Sequence, residues 1–273
     1  MAYILENVNI LKHGELSRTS LLVEHGKITL MKPSLDRFRF MKMDGDSFIM
    51  TAPHVTLNTQ IPFHQPFHEQ KEYYSNQFIR KGCTTFLTYV EINHEFELQI
   101  KFDQIKKDLL NSPIDYVIGI KIPIRLLTAR FMRECKKRKI PAIFVRIDNK
   151  DDLSTVPWGW IKEAMFPYNS PLIPIFQVGK DNSELKQTWQ LIMSKEKVSS
   201  FFDEILEKRP ITERLLAKIG LYPLKASIHQ GAEISYNLYE KSRELYKLDQ
   251  TELYDQHEYK LRITVHKGTV IKA

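Results

Sequence analysis

Two rhythms of apolar and polar positions divide the chain. Within residues 1–51 the apolar runs are short and alternating: Tyr3 to Leu11, Ser20 to Glu24, Lys27 to Met31 and Ser47 to Met50, the pattern of half-buried strands. His25-Gly26 separates the second run from the third, and a glycine there accepts the positive φ of a tight turn at little cost. From Ala52 the rhythm changes. Apolar runs at Val55–Ile61, Thr84–Ile92, Tyr116–Ile122, Ala142–Ile147 and Leu172–Val178 alternate with amphipathic stretches around His68–Lys81, Glu95–Leu110, Arg125–Lys139, Pro157–Met165 and Ser183–Lys195. That alternation predicts βα units and a parallel sheet. In the third stretch Leu126, Leu127, Ala129, Phe131 and Met132 share one side. Ser183 fits an N-cap, because its hydroxyl can accept from an unpaired backbone N–H. Residues 183–219 read as helices, with Pro210 breaking or starting one. Strands return at Ser235–Glu240, Leu261–Lys267 and, after Gly268, Thr269–Lys272.

Composition changes this picture little. The chain has 273 residues, 42% hydrophobic and 27% charged, enough for a sizeable core and within the range of a globular protein. No internal repeat or low-complexity tract stands out. The apolar runs are strand-sized, well short of the roughly 18 residues a membrane helix needs, and the first residues lack the basic patch and apolar core of a signal peptide. With only Cys83 and Cys135 there is no disulfide framework, which fits a reducing, cytoplasmic compartment. The net charge of +7 is interleaved with 33 acids. Its densest run, Arg133 to Lys139, falls late in a predicted helix, where cations complement the macrodipole. A solvated helix end is the simpler reading of that run than a nucleic-acid patch, since no nucleic-acid-reading motif accompanies it.

Four strings carry a family resemblance. Ser20-Leu21-Leu22-Val23-Glu24-His25-Gly26-Lys27-Ile28 resembles a D-x-L-V-E-D-G-K-I hairpin, and Arg80-Lys81-Gly82-Cys83-Thr84-Thr85 a G-x-T-T strand start. The stretch from Gly220 through Pro223, Lys225, Ser227 and Gly231 to Glu233 resembles G-L-x-P-x-K-G-S-I-x-x-G-A-D, and Thr264 to Ile271 resembles T-x-V-x-G-x-V-I. In this order, at both ends of the chain, they are similar to the amidohydrolase superfamily, most of all to its dihydroorotase-like and dihydropyrimidinase-like members and the related deaminases. The resemblance implies an α/β fold. Residues 1–51 and 227–273 would form a small composite β-sandwich, and residues 52–226 a truncated, TIM-barrel-like βα core. Five strands cannot close a barrel, so the sheet is expected to be open or sealed by something else.

The superfamily's chemistry uses a divalent metal that lowers the pKa of bound water and polarises a C–N carbonyl or imine. Its first ligands come from a D-x-H-x-H string, matched here by Thr56-Leu57-Asn58-Thr59-Gln60. Carboxamides at Asn58 and Gln60 are poor zinc ligands. No histidine occurs between His94 and His229 to supply the later ligands. No cofactor is therefore expected. Parallel sheets bind ligands at the C-terminal strand ends, which here offer Asn58, Gln60, Glu91, Lys121, Arg146, Asp148 and Gln177 as a small-molecule pocket; wet, polar strand ends are the plainer alternative. His64 and His68, spaced for one helical face, together with His94 form a weak alternative metal site. Lys121 is expected to pair with Glu91 or Asp148. Trp158-Gly159-Trp160 is aromatic enough to line a site, but tryptophan at a helix start more often packs as core or anchors an interface. Cys83 reads as buried and inert.

Three functional readings follow. The first is a catalytically inactive amidohydrolase-like protein that binds a small molecule or protein partner, as a homodimer covering the open sheet edge. The second is a divergent hydrolase of non-peptide C–N bonds, with His64, His68, His94 and Asp148 in relocated roles. The third, and least favoured, is nucleic-acid binding through the net charge. A membrane partner is not expected.

Overall fold

The computed structural model describes residues 2–176, 182–240, 253–254 and 260–273. The N-terminal part folds into β1 (Tyr3–Lys12), β2 (Glu15–Glu24), β3 (Lys27–Lys32), β4 (Met41–Asp44) and β5 (Phe48–Thr51). The middle runs β6 (His54–Leu57), α1 (Phe67–Gln77), β7 (Cys83–Glu91), α2 (Glu97–Asp108), β8 (Asp115–Pro123), α3 (Ala129–Lys137), β9 (Ile143–Ile147), α4 (Lys150–Thr155), α5 (Trp158–Met165), β10 (Leu172–Phe176), α6 (Ser183–Glu196) and α7 (Glu213–Lys218). The chain ends in β11 (Tyr236–Glu240), β12 (Leu261–His266) and β13 (Thr269–Lys272).

Strands from both ends share one sheet, ordered β13-β12-β11-β5-β1-β2-β3, with β4 parallel to β1. The two ends meet where β11 pairs antiparallel with β5, Asn237 opposite Thr51 and Leu238 opposite Met50. Residues 231–234 then join β3 to the β12–β13 turn. Ile28 N–H donates to the Ala232 carbonyl at 2.9 Å, and Gly268 N–H to that of Ile234 at 2.8 Å. Gly26, at φ +73°, makes the β2–β3 turn. Gly82, also at φ +73°, lets the Asn237 carboxamide come close enough to donate to its carbonyl at 2.9 Å; a Cβ there would collide with that side chain. This contact ties the terminal sheet to the start of β7.

The second sheet is parallel, curled into a half-barrel ordered β10-β9-β8-β7-β6. Its convex side packs on α1–α6 through Phe86, Ile120, Ile122, Val145 and Ile147, which meet Phe78, Phe102, Phe131, Ile161 and Trp189. Thr128 caps α3 by accepting from Phe131 N–H at 3.2 Å. Among the described residues no helix is long and apolar enough to cross a membrane.

The expected helices over 183–219 are only partly present. Alpha-helix covers Ser183–Glu196 and Glu213–Lys218, while the chain between them runs as a strap from one sheet edge to the other. Leu172 N–H donates to the Ser199 carbonyl and Phe201 N–H to that of Leu172, at 2.9 and 2.8 Å. Further on, Lys208 N–H donates to the Leu57 carbonyl at 2.8 Å and Ile211 N–H to that of Val55 at 2.7 Å. The strap thus pairs with β10 and then with β6, satisfying edge groups that would otherwise be open. The Phe201, Phe202, Ile205 spacing imitates a helix because the strap buries side chains on both sides: Phe202 packs against the helix layer, Phe201 and Ile205 against the concave face. The homodimer expectation rested on an open edge and on the surplus of apolar residues over 183–219; the strap pairs with part of each edge, at Leu172 of β10 and at Val55 and Leu57 of β6. Ser183 opens α6, but the cap position falls on Asn182. Strand β4 is exposed at all four positions and helix α4 is six residues long and mostly polar, so neither shows a core-facing stripe long enough to mark it.

Candidate functional site

Side chains alternate across a strand, so the residues lining the concave side of the half-barrel are fixed by the register. They are Val55 and Leu57 of β6, Leu87 and Tyr89 of β7, Val117 of β8, Phe144 of β9, and Ile173 and Ile175 of β10. Phe201, Ile205 and Ile211 of the strap and Leu215, Leu216 and Ile219 in and after α7 pack onto them. The space that would be a barrel's interior is filled by this chain's own aliphatic and aromatic side chains.

Two residues beyond Tyr89, at the C-terminal rim of this face, stands Glu91, set opposite Lys121 by the β7–β8 register. Its carboxylate lies 3.4 Å from Lys121 Nζ and 3.3 Å from Arg146 Nη1, and Arg146 Nε lies 3.4 Å from Asp148. Lys121 also sits over the Tyr89 ring, 5.8 Å from its centroid. Glu91 and Asp148 are both more than two-fifths exposed, so each pair is cheap to exchange for another partner. Arg146 and Asp148, with Arg125, Thr128, Asp152 and Thr155, line a cavity of 370 Å³ between the loops after β8 and β9.

Asn58 and Gln60 do not join this group. Asn58 is buried on the helix side, where its Oδ1 accepts from Tyr73 Oη and from Gln60 N–H, both at 3.0 Å. The Gln60 side chain is exposed. Since 55 and 57 face the concave side, the ligand string in the frame 56, 58 and 60 points the wrong way. The frame that faces the interior, 55, 57 and 59, puts Leu57 and Thr59 at the two histidine positions, and a hydrocarbon and a neutral hydroxyl do not suit a divalent metal. Gln177 lies outside the described residues.

His64 sits in the turn before α1, whose helix begins only at Phe67, so His64 and His68 do not share a helical face. His68 lies 3.8 Å from a Glu69 carboxylate oxygen, and His94 stacks on Phe96 at 5.5 Å. Among the described residues no three His, Cys, Asp or Glu side chains are grouped to hold a metal. The Cys83 thiol is fully buried and pushed up to about 12 by that burial. Trp158 belongs to the core, its Nε1–H donating to the Leu153 carbonyl at 2.9 Å, whereas Trp160 is exposed.

The tertiary structure adds a residue that no local pattern marks. Glu207, on the strap, accepts a hydrogen bond from the Thr59 hydroxyl across 148 positions of sequence. Burial, and secondly the Glu207 charge, raise Tyr89 above its usual pKa; burial first and Glu207 last raise Tyr73, against the opposing pull of its bond to Asn58. Both phenols therefore remain protonated donors beside this carboxylate.

No family model and no curated protein matches the sequence. Solved structures match the fold at low identity. A dihydropyrimidinase from Brevibacillus agri superposes with a TM-score of 0.61 at 9% identity, covering 100% of this chain and 95% of the other. An adenosine deaminase from Xanthomonas campestris with bound zinc gives 0.62 at 9%, covering 98% and 92%. An N-isopropylammelide isopropylaminohydrolase from Burkholderia multivorans gives 0.56 at 11%, covering 99% and 98%. The fold of this chain is therefore similar to that of these hydrolases, built here around a strapped five-stranded half-barrel.

Proposed function

We propose that this protein has left metal hydrolysis behind and binds a small ligand or protein partner at the C-terminal rim, through Glu91, Lys121, Arg146 and Asp148. The observation that carries the reading is the filled interior. A substrate reaching the position of a metal-bound water would have to displace Phe201, Ile205 and Ile211, which pack on the strands there. Leu57 and Thr59 offer that position no competent donor set. The cavity beside Arg146 has the volume of small-molecule sites, which run from roughly 300 to 1,000 Å³. Its mixed cations and anions suit a ligand carrying both charges.

Screening amino acids, dicarboxylates and short peptides by thermal shift, with calorimetry on any hit, tests this. A ligand found by the screen should lose at least tenfold in affinity in Arg146→Gln, while the melting temperature without ligand holds. Binding that is indifferent to Arg146, Asp148 and Lys121 would refute the site.

A second reading, a divergent hydrolase of non-peptide C–N bonds, draws on the hydrolases that share the fold and on Glu207, a carboxylate hydrogen-bonded to Thr59 that would serve as its base. Turnover of cyclic ureides or amidines that survives chelators and is lost in Glu207→Gln would favour it over the binding reading.

A further inference from the structure

Basic and aromatic residues that are scattered in sequence meet around a second cavity. This groove of 770 Å³ lies between α5 and the end of α6, and its walls include Gly159, Lys162, Met165, Phe166, Lys197 and Val198. Phe166, on its wall, is 67% exposed, and Trp160, the neighbour of Gly159 on α5, is 71% exposed. The 166–168 loop packs on the basic end of α3: Lys136 Nζ donates to the Phe166 carbonyl at 3.0 Å, and Tyr168 Oη to that of Lys139 at 2.7 Å. The densest basic run of the chain is thereby brought beside exposed aromatic rings. Of the acids nearby, Glu134 is held by Lys137 at 2.6 Å, and Glu163 lines the groove with Lys162 and Lys197.

We infer that this face docks on an anionic phospholipid surface. Lysines answer the negative headgroup layer, and exposed tryptophan and phenylalanine settle at the boundary between headgroups and acyl chains. The open groove, walled by Met165, Phe166 and Val198, gives an acyl segment an apolar seat. A nucleic acid would use the lysines but would gain nothing from such a wall. The mode is peripheral and reversible, and it requires no spanning helix. It is independent of the rim site, which lies at the opposite ends of the strands.

The full chain carries its own reporter. Of three tryptophans, Trp158 and Trp189 are buried and Trp160 is exposed. Vesicles of phosphatidylcholine mixed with phosphatidylglycerol are compared with phosphatidylcholine alone, by cosedimentation and tryptophan emission. Expected is binding to the mixed vesicles only, with a blue shift of emission, quenching by bromolipids and release at high salt. Lys162→Gln and Lys197→Gln should each weaken partitioning roughly fivefold. Trp160→Ser and Phe166→Ser should abolish it with unchanged melting curves, because both side chains are exposed. The inference is overturned by failure to cosediment, by equal binding to neutral vesicles, by binding without an emission change, or by a Trp160→Ser variant that binds as before. Retention on an RNA homopolymer with no vesicle binding would overturn it in favour of a polyanion site.

Discussion

Truncating Ile211 to alanine tests whether the strap is an integral part of the half-barrel or a cover laid over it. Ile211 is 7% exposed, packs on the concave face and donates its N–H to Val55 at 2.7 Å. The substitution keeps that hydrogen bond and removes the buried side chain beyond Cβ. Burial of this degree places the loss within the usual range for such truncations, at about 3 kcal/mol. With a urea m-value of about 3 kcal/mol/M the midpoint should fall by about 1 M. Leu206→Ala is the control on the same strap: Leu206 is 68% exposed, and its loss should cost less than about 0.5 kcal/mol. Trp189 reports on the strap directly, since it is fully buried and its Nε1–H donates to the Phe201 carbonyl at 2.9 Å. Urea unfolding followed by tryptophan emission therefore reads both variants. If Ile211→Ala unfolds at the same midpoint as Leu206→Ala, the strap is a loose cover, and the claim that it fills the interior fails with it.

His54 should make stability fall in acid. It is buried beside Tyr239, whose hydroxyl lies 2.7 Å from Nε2, and burial lowers its pKa from 6.5 to about 4. Folding favours the neutral ring, so the stability is complete above pH 6.5 and declines as pH falls toward 4, by about 3 kcal/mol in all; His54→Phe should flatten that slope in urea titrations run across pH. Asn58→His with Gln60→His should bring no stoichiometric metal by elemental analysis, because position 58 faces Tyr73 rather than the interior. One metal per chain in that variant would show the strand register to be wrong. Ending the chain at residue 226 removes β11 from beside β5, exposing the apolar face of the N-terminal strands, and the product should aggregate in sedimentation runs; a soluble, cooperatively melting fragment would contradict this.

Periodicity alone marked five parallel strands and most of their helices, because alternation and the helical stripe are local consequences of burial. It also marked Glu91, Lys121, Arg146 and Asp148 as strand-end residues, which the register then gathered. The four family-like strings at the two ends pointed to the superfamily's fold. That the Asn58 side of β6 packs under the helices rather than lining the interior was not legible: Val55 and Leu57 share one side of the strand and Thr56 and Asn58 the other, a one-residue shift swaps the two, and the family string set the polar side inward. Nor was the strap, whose apolar residues face two layers and so mimic helical spacing, nor Glu207, which reaches Thr59 only because the strap crosses from β10 to β6. The meeting of Phe166 with Lys136 of α3 was hidden in the same way. Sequence records what each segment buries, whereas the partner of a buried or charged group is set by how distant segments pack.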